Sequence, residues 1–96
     1  VLVDCTAGEE LPDRYAHLLV HHINVVTPNK RIQAGGADRF IGAKNAAKQT
    51  GAAFLYETSV GAGLPIIGTL NDLIRSGDEI TSIEAVLSGT LSFIFN

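Results

Sequence analysis

The chain has 96 residues, of which 46% are hydrophobic, and a formal net charge of −3 at pH 7. This length suits one small α/β domain or parts of two, and a domain this short buries comparatively little surface. The sequence has no run of Lys and Arg, and no apolar run approaches the roughly 18 residues of a membrane span. We therefore expect neither nucleic acid nor a membrane as a partner.

Two features suggest an internal fragment and a cytoplasmic setting. The chain opens on Val1 rather than Met and closes on an apolar stretch, residues 91–96, that contains two Phe residues. A natural terminus rarely leaves such residues exposed, so we expect a fragment, with a complete small domain as the alternative. Cys5 is the only cysteine, which excludes an internal disulfide and favours the cytoplasm.

The first elements are a strand and a helix. The apolar run at 1–4 predicts a buried parallel strand, and a loop follows it at 6–8. We expect a helix from about residue 9 to residue 21, with Pro12 in its first turn, where a missing N–H is tolerated. Its core-facing stripe consists of Tyr15, Leu18 and Leu19.

The pattern then repeats. In chain order we predict a strand at 23–26 and a turn at 27–30. A helix from about 37 to 49 follows, with Gly51 as the cap beyond its end, and then a strand at 53–56. The order strand, helix, strand, helix, strand is typical of a parallel sheet with right-handed crossovers.

A different organisation begins after Glu57. Small residues fill 59–65, and Pro65 precedes a helix whose apolar residues recur with helical period. Partial alternation of apolar residues predicts a strand over 80–87. We place a domain boundary near this change, so that residues 1–57 and residues 58–96 belong to different domains.

Polar segments directly follow all three predicted strands, at 4–7, 27–30 and 57–60. Ligands of open parallel sheets bind outside the carboxyl ends of the strands, so we expect these segments to border one crevice. Lys30 would supply a point charge there for a ribose, a phosphate or a substrate carboxylate, or for negative charge growing on a carbonyl oxygen. Taken singly, the first two segments also fit a capped turn and a solvated lysine.

The segment from Gly61 to Gly63 does not complete a dinucleotide fingerprint, because Ile66 stands where Gly or Ala is required. Its glycines could instead turn backbone carbonyls toward one point beside Glu57, an arrangement that suits a hard cation. The alternative is a glycine-rich hinge between domains.

Two further groups have simple interpretations. His17 and His21 have a spacing that zinc sites use, but no third ligand is well spaced, so we interpret them as surface residues at a helix end. Cys5 follows the acidic Asp4, which argues against a reactive thiol, and we expect a small buried filler.

Four segments resemble homoserine dehydrogenases, in the order and at about the spacing of that family. They are D-C-T at 4–6, T-P-N-K at 27–30, E-T-S-V-G-A-G-L-P at 57–65 and L-S-G-T-L-S-F-I-F-N at 87–96. The resemblance covers essentially the whole chain. The residues taken without it indicate only a nucleotide-binding α/β domain.

The resemblance implies an α/β fold. Residues 1–57 would be the C-terminal half of a Rossmann-type parallel-sheet domain, and residues 58–96 the hinge and the beginning of an α+β substrate and dimerisation domain, both truncated. The parent enzyme would reduce L-aspartate 4-semialdehyde to L-homoserine with NADPH or NADH, in the biosynthesis of threonine, methionine and isoleucine. It would be a homodimer or higher oligomer in the cytoplasm, or in a plastid in a plant.

The resemblance also assigns residues. Thr6 and Ala7 match the loop beside the nicotinamide and ribose, and Lys30 matches a lysine that lies by cofactor and substrate and is the catalytic candidate. A monovalent-cation site, usually sodium and built mainly from backbone carbonyls, matches Glu57, Val60, Ala62 and Leu64. A loop that meets the amino-acid substrate matches Gly89 and Thr90.

One position departs from the family pattern, and some of that pattern lies elsewhere. Ser59 stands where some members have Thr or Asn, which matters little if backbone oxygens bind the cation. The family's nucleotide fingerprint and main catalytic residues lie outside residues 1–96, so we expect this fragment alone to be inactive. Two other functions stay open: a non-enzymatic nucleotide sensor, and a structural dimer module built on 80–87.

Overall fold

The computed structural model describes residues 1–86 and residue 94. Its strands are β1 (Leu2–Val3), β2 (Val25–Val26) and β3 (Phe54–Leu55). Its helices are α1 (Tyr15–Val20), α2 (Arg31–Ala34), α3 (Ala37–Thr50) and α4 (Ile66–Arg75), and single 3-10 turns occupy Pro12–Arg14 and Glu57–Ser59.

The three strands form one parallel sheet in the order β1-β2-β3. Leu2 pairs with Val25 and Val25 with Phe54, so these three residues form one row across the sheet. Helices separate consecutive strands, as the alternating sequence pattern predicts, and all three strands point the same way. Their carboxyl ends therefore lie at one edge.

The core lies between the sheet and the helices α1 and α3. Its fully buried apolar residues are Tyr15, Leu19, Val25, Ile32, Ala43 and Ala46. The row of Leu2, Val25 and Phe54 faces this core, whereas Val3 and Leu55 in the neighbouring row are 61% and 56% exposed. The prediction that the first strand is buried is therefore wrong for its outer face, because the described helices cover one face of the sheet only.

The first helix is shorter than predicted. Pro12 occupies the first position of a 3-10 turn, which confirms that it stands at a helix start, and α1 begins at Tyr15. Residues 9–11 are not helical. The short α2 was not predicted, because its four residues are too few to show a period. The Asn29 side chain accepts a hydrogen bond from the Arg31 N–H at 2.9 Å, which closes a tight turn directly before this helix.

The prediction for α3 is confirmed to within one residue. The helix ends at Gly51, which has a left-handed φ of 74° and donates its N–H to the carbonyl of Ala47 at 2.9 Å. This conformation is strained for residues with a Cβ atom and is the usual reason for glycine after a helix.

The second half of the chain agrees with the sequence in part. The predicted helix after Pro65 forms as α4, although none of its residues is fully buried. The strand predicted over 80–87 is wrong for residues 80–86, which have no strand structure and are mostly exposed. A strand needs a hydrogen-bonded neighbour, and the described residues supply none beside this segment. Residue 87 lies outside the described residues.

Within the described part of the chain, none of the helices combines the length and the apolar character that a bilayer crossing requires.

Candidate functional site

Three loops leave the sheet at its carboxyl edge. We call them the first loop (residues 4–8), the second loop (27–30) and the third loop (57–64). The ladder extends one residue past two of the strands, because the Asp4 N–H donates to the Val26 carbonyl at 3.0 Å and the Thr27 N–H donates to the Leu55 carbonyl at 2.9 Å. Side chains alternate along a strand, so Asp4 and Thr27 face the helices while Cys5 faces outward.

Asp4 is a fully buried carboxylate that organises the first loop. Its Oδ1 accepts hydrogen bonds from the Thr6 N–H at 2.8 Å and from the Thr6 hydroxyl at 2.7 Å. Its Oδ2 accepts from the Tyr15 hydroxyl and from the Asn29 amide at 3.3 Å. Four donors match the acceptor capacity of an ionised carboxylate, so these hydrogen bonds stabilise its charge.

These bonds decide the protonation of both partners. Burial alone would raise the pKa of Asp4, but the hydrogen bonds from Tyr15, Thr6 and Asn29 outweigh burial and hold that pKa below its usual value. Burial and the hydrogen bond to Asp4 raise the pKa of Tyr15 far above its usual value. At neutral pH the pair therefore consists of a carboxylate and a neutral phenol.

The second loop contacts the first directly. The side-chain amide nitrogen of Asn29 donates to the Gly8 carbonyl at 2.9 Å and to the Asp4 carboxylate. The backbone N–H of Asn29 donates to the Thr27 hydroxyl at 2.9 Å. The Thr27 hydroxyl donates to the Asp4 carbonyl at 3.1 Å and lies 2.9 Å from the Tyr15 oxygen. The two loops thus share one buried polar network.

The third loop lies beside helix α2, which directly follows the second loop. The Ser59 hydroxyl donates to the Tyr56 carbonyl at 2.6 Å and lies 3.3 Å from Gln33 Oε1 on α2. Because α2 follows the second loop directly, all three loops border the same edge. The three segments therefore lie at one edge of the sheet, as expected, and the crevice between them stays a prediction.

The residues predicted to meet cofactor and substrate lie on the outside of this network. Thr6, Ala7 and Lys30 are exposed. Lys30 stands directly before α2, and among residues 1–86 and 94 no carboxylate pairs with it. Its ammonium is therefore available to an anionic or polar ligand. Gly89 and Thr90, predicted to contact substrate, lie outside the described residues.

The residues predicted to bind a cation are spread along the third loop. Both Glu57 carboxylate oxygens accept the Gly68 N–H of α4, at 3.2 and 3.0 Å. Val60 is half-buried, and Ala62 and Leu64 are exposed. Ala62 has a φ of 50°, which is uncommon outside glycine and turns the peptide planes around it. The loop is thus sharply bent between a carboxylate and a helix start.

Two of the simpler expectations can also be compared with the structure. Cys5 is exposed, so its prediction as a buried filler is wrong; the inward turn of Asp4 places its neighbour on the uncovered face. His17 and His21 are exposed, with ring centroids 4.4 Å apart. In the described part of the chain, no three His, Cys, Asp or Glu residues come together as metal ligands would.

Tyr15 is a polar member of this site that its sequence pattern does not reveal. Its helical spacing marks a core residue, and its ring does pack edge-on to Phe54, with centroids 5.9 Å apart. The available signal was chemical, because a buried tyrosine hydroxyl requires a hydrogen-bond partner. Thr27 and Asn29 belong to the segment 27–30 that the sequence places at the edge of the sheet, but the pattern gives neither of them a role.

An apolar cavity of about 390 Å³ lies near the third loop, between α3 and α4. Its lining includes Val60, Ile66 and Leu70, with Gln33 as its one amide side chain. A charged nucleotide or amino-acid ligand needs several convergent polar or charged partners, and the described lining residues carry no charge. The polar edge of the sheet is therefore the better candidate for a binding site.

Comparison with known proteins gives a consistent result. The family model described as Homoserine dehydrogenase matches residues 65–96. The chain is 49% identical over 96 residues to a homoserine dehydrogenase of Schizosaccharomyces pombe, covering 100% of this chain and 26% of that protein. It is 44% identical over the same length to the chloroplastic bifunctional aspartokinase/homoserine dehydrogenase 1 of Arabidopsis thaliana, covering 10% of that protein.

A solved structure has the same fold. A crystal structure of a Candida auris protein described as of unknown function superposes with a TM-score of 0.85 at 37% identity, covering 98% of this chain and 26% of that one. The chain thus spans about a quarter of the length of the fission yeast relative. The resemblance to homoserine dehydrogenases inferred from the sequence is confirmed over the whole chain.

Proposed function

We propose that this chain forms part of a homoserine dehydrogenase that reduces L-aspartate 4-semialdehyde to L-homoserine with NADPH or NADH. Residues 1–57 would be the C-terminal half of its Rossmann-type domain, and residues 58–96 the hinge and the start of its substrate and dimerisation domain. The observation that carries the proposal is the 49% identity to a homoserine dehydrogenase along all 96 residues, a stretch that includes all three loops.

The carboxyl edge of the sheet suits a nicotinamide nucleotide. Parallel sheets bind dinucleotides at this edge. Thr6 and Ala7 of the first loop are exposed there. A hydroxyl and backbone groups are suitable partners for a ribose and a carboxamide. When bound, the reduced nicotinamide supplies the hydride that the aldehyde carbon accepts.

Lys30 would act on the oxygen of the aldehyde. Reduction of an aldehyde builds negative charge on its oxygen, and an ammonium aimed at that oxygen lowers the barrier. The exposed Lys30, unpaired among the described residues, also lies one residue from the network that fixes both loops. We therefore assign it to stabilising that charge and to orienting cofactor and substrate.

A monovalent cation, with sodium as the main candidate, would bind the third loop. The ligands would be the Glu57 carboxylate and the backbone carbonyls of Val60, Ala62 and Leu64, which are the hard oxygen donors that such ions prefer. The left-handed conformation of Ala62 supports this assignment because it reorients the peptide carbonyls on either side. Glu57 would then share its charge between the ion and the start of α4.

Substrate contacts, assembly and location complete the proposal. Gly89 and Thr90 would contact the amino-acid substrate, and the complete enzyme would be a homodimer or higher oligomer in threonine, methionine and isoleucine biosynthesis. We place it in the cytoplasm, or in a plastid in a plant; the Arabidopsis relative is described as chloroplastic.

The test is a Lys30→Ala variant of the full-length protein, assayed by the absorbance of NADPH or NADH with aspartate 4-semialdehyde. Loss of one group that stabilises transition-state charge lowers turnover by about 100-fold or more. Lys48→Ala, which removes an exposed lysine of α3, is the matched control and should keep full activity. A nucleotide sensor would instead show weaker cofactor binding and no semialdehyde reduction even in the unmodified protein.

A further inference from the structure

We infer that Asp4, Tyr15 and Asn29 are positioning residues for this reaction, which set the spacing between the loop that carries Thr6 and the loop that carries Lys30. The inference rests on the proposed function. Asp4 and Tyr15 are fully buried and Asn29 is 4% exposed, so a ligand at the edge of the sheet cannot touch the first two and scarcely touches the third. Any effect they have on catalysis must pass through the residues they hold.

Asp4 fixes Thr6 in two ways at once. It binds both the backbone N–H and the hydroxyl of Thr6 through a single oxygen, Oδ1. This leaves Oδ2 for Tyr15 and Asn29, which approach from α1 and from the second loop. The conformation of the first loop is therefore tied, through one carboxylate, to two other parts of the chain.

Asn29 joins the two loops and frames Lys30. Its amide nitrogen binds Asp4 and Gly8 of the first loop, and its Oδ1 accepts the Arg31 N–H at 2.9 Å. Lys30 lies between Asn29 and Arg31, so its backbone is held on both sides by one side chain. An amide is needed for this role because it both donates and accepts.

Tyr15 ties this polar network to the core. Its ring packs against Phe54 of β3, and its hydroxyl reaches both Asp4 and Thr27. The ring cannot shift without disturbing the packing of α1 on the sheet. The hydroxyl is therefore a fixed point from which the separation of the two loops is set.

The consequence for catalysis is geometric. Hydride transfer requires the nicotinamide, the aldehyde and the stabilising ammonium to be aligned together, and a displacement of about 1 Å costs about 100-fold in rate. Thr6 and Lys30 lie on separate loops that follow separate strands. Among the described residues, the buried hydrogen-bond network joins these two loops and so sets the position of Thr6 relative to Lys30.

The experiment compares Tyr15→Phe and Asn29→Ala in the full-length protein, with Asn45→Ala as the matched control. Tyr15→Phe removes one hydroxyl and keeps the ring, and Asn45 is an exposed amide of α3 outside the network. For each variant we would measure Tm, kcat, KM for cofactor and for semialdehyde, and the Kd of the reduced cofactor from its fluorescence. Assays are run well below each Tm, so that all the protein is folded.

We expect kcat to fall about tenfold to 100-fold in both network variants, with a raised cofactor KM and Kd. A merely structural role would lower Tm and leave kcat and KM of the folded enzyme unchanged, and that result overturns the inference. If the unmodified protein neither binds the cofactor nor reduces the semialdehyde, the proposed function itself fails. If the unmodified protein is active and both network variants have the kcat, KM and Kd of the control, the positioning role is refuted while the proposed function stands.

Discussion

At the scale of single residues, Asp4 is unusual in being a buried charge balanced by dipoles. An unpaired buried carboxylate is costly, and proteins usually neutralise it or pair it with a cation. Here donors from Thr6, Tyr15 and Asn29 replace the lost hydration. Hydrogen bonds to a charged acceptor contribute more than neutral ones, about 1.5–3 kcal/mol each, and leaving such donors unpaired is correspondingly destabilising.

The lowered pKa of Asp4 predicts an acid dependence of stability. Its folded pKa lies below the ordinary value of 3.8, so at pH values between the two the unfolded state binds more protons. The contribution of Asp4 to the free energy of unfolding is therefore fully present above about pH 5 and is lost as the pH falls through 3.8 toward the folded pKa.

We expect Asp4→Asn to be less stable at pH 7 and to lose less stability between pH 5 and about pH 3. Urea unfolding of the full-length protein across this range, followed by circular dichroism, measures both effects. Asp72→Asn, at an exposed carboxylate of α4, is the control and should retain the original acid dependence. Equal slopes for Asp4→Asn and the unmodified protein would contradict the prediction.

Residue-level prediction from the sequence succeeded where position along a strand decides the outcome. Thr6 and Lys30 follow strand ends, and the structure places both on the expected edge. The link between Asp4 and Tyr15 could not be predicted in the same way. It joins residues 11 positions apart and depends on the rotation of α1 over the sheet, which a one-dimensional pattern does not specify.

At the scale of elements, two glycines of α3 and its C-terminal cap are in opposite situations. Gly42 lies inside the helix, and a Cβ atom added to it meets nothing within 4 Å. Gly51 ends the helix with a φ of 74°, a conformation that L-residues rarely adopt. The same substitution should therefore have opposite effects at these two positions.

We expect Gly42→Ala to stabilise the protein by about 0.5–1 kcal/mol, because alanine lowers the entropy of the unfolded chain and fits a helix. We expect Gly51→Ala to destabilise it by about 1 kcal/mol through left-handed strain. Thermal and urea unfolding of both variants provide the measurement, and each serves as the control for the other. Stabilisation by Gly51→Ala would show that the left-handed cap conformation is not what Gly51 supplies, and destabilisation by Gly42→Ala would contradict the expectation for the helix interior.

Elements were predictable where local chemistry marks their ends. The glycine after α3 and the proline before α4 each place a boundary within about a residue of the structure. The predicted strand at 80–87 failed over 80–86 because alternation alone cannot supply a neighbouring strand. Helix α2 was not predicted because its four residues are too few to show an apolar stripe.

At the scale of the whole molecule, the described residues form one covered sheet face and one uncovered face. Val3 and Leu55 are exposed there, and Leu73 and Ile74 on α4 are 40% and 55% exposed. The chain spans about a quarter of its fission yeast relative. Sequence pattern therefore predicts the parallel sheet and its polar edge well, whereas the burial of each face depends on what packs against it, which the pattern does not specify. The domain boundary near residue 57 stays a prediction.

The third loop links the two proposed domains, so a cation bound there should act on the stability of the complete enzyme. A ligand that binds only the folded state stabilises it by mass action, by about 2.7 kcal/mol at 100 times its dissociation constant. We therefore expect the Tm of the dialysed full-length protein to rise when sodium or potassium chloride is added. Choline chloride at the same ionic strength is the control and should leave Tm nearly unchanged.

Glu57→Gln separates this effect from general salt dependence. Glutamine can still accept the Gly68 N–H that starts α4 but carries no charge for an ion. The variant should fold with a reduced response to sodium and potassium, and Asp72→Asn, at an exposed carboxylate of α4, should keep the full response. Equal shifts with sodium, potassium and choline would mean that the bent loop is a hinge between domains and binds no cation.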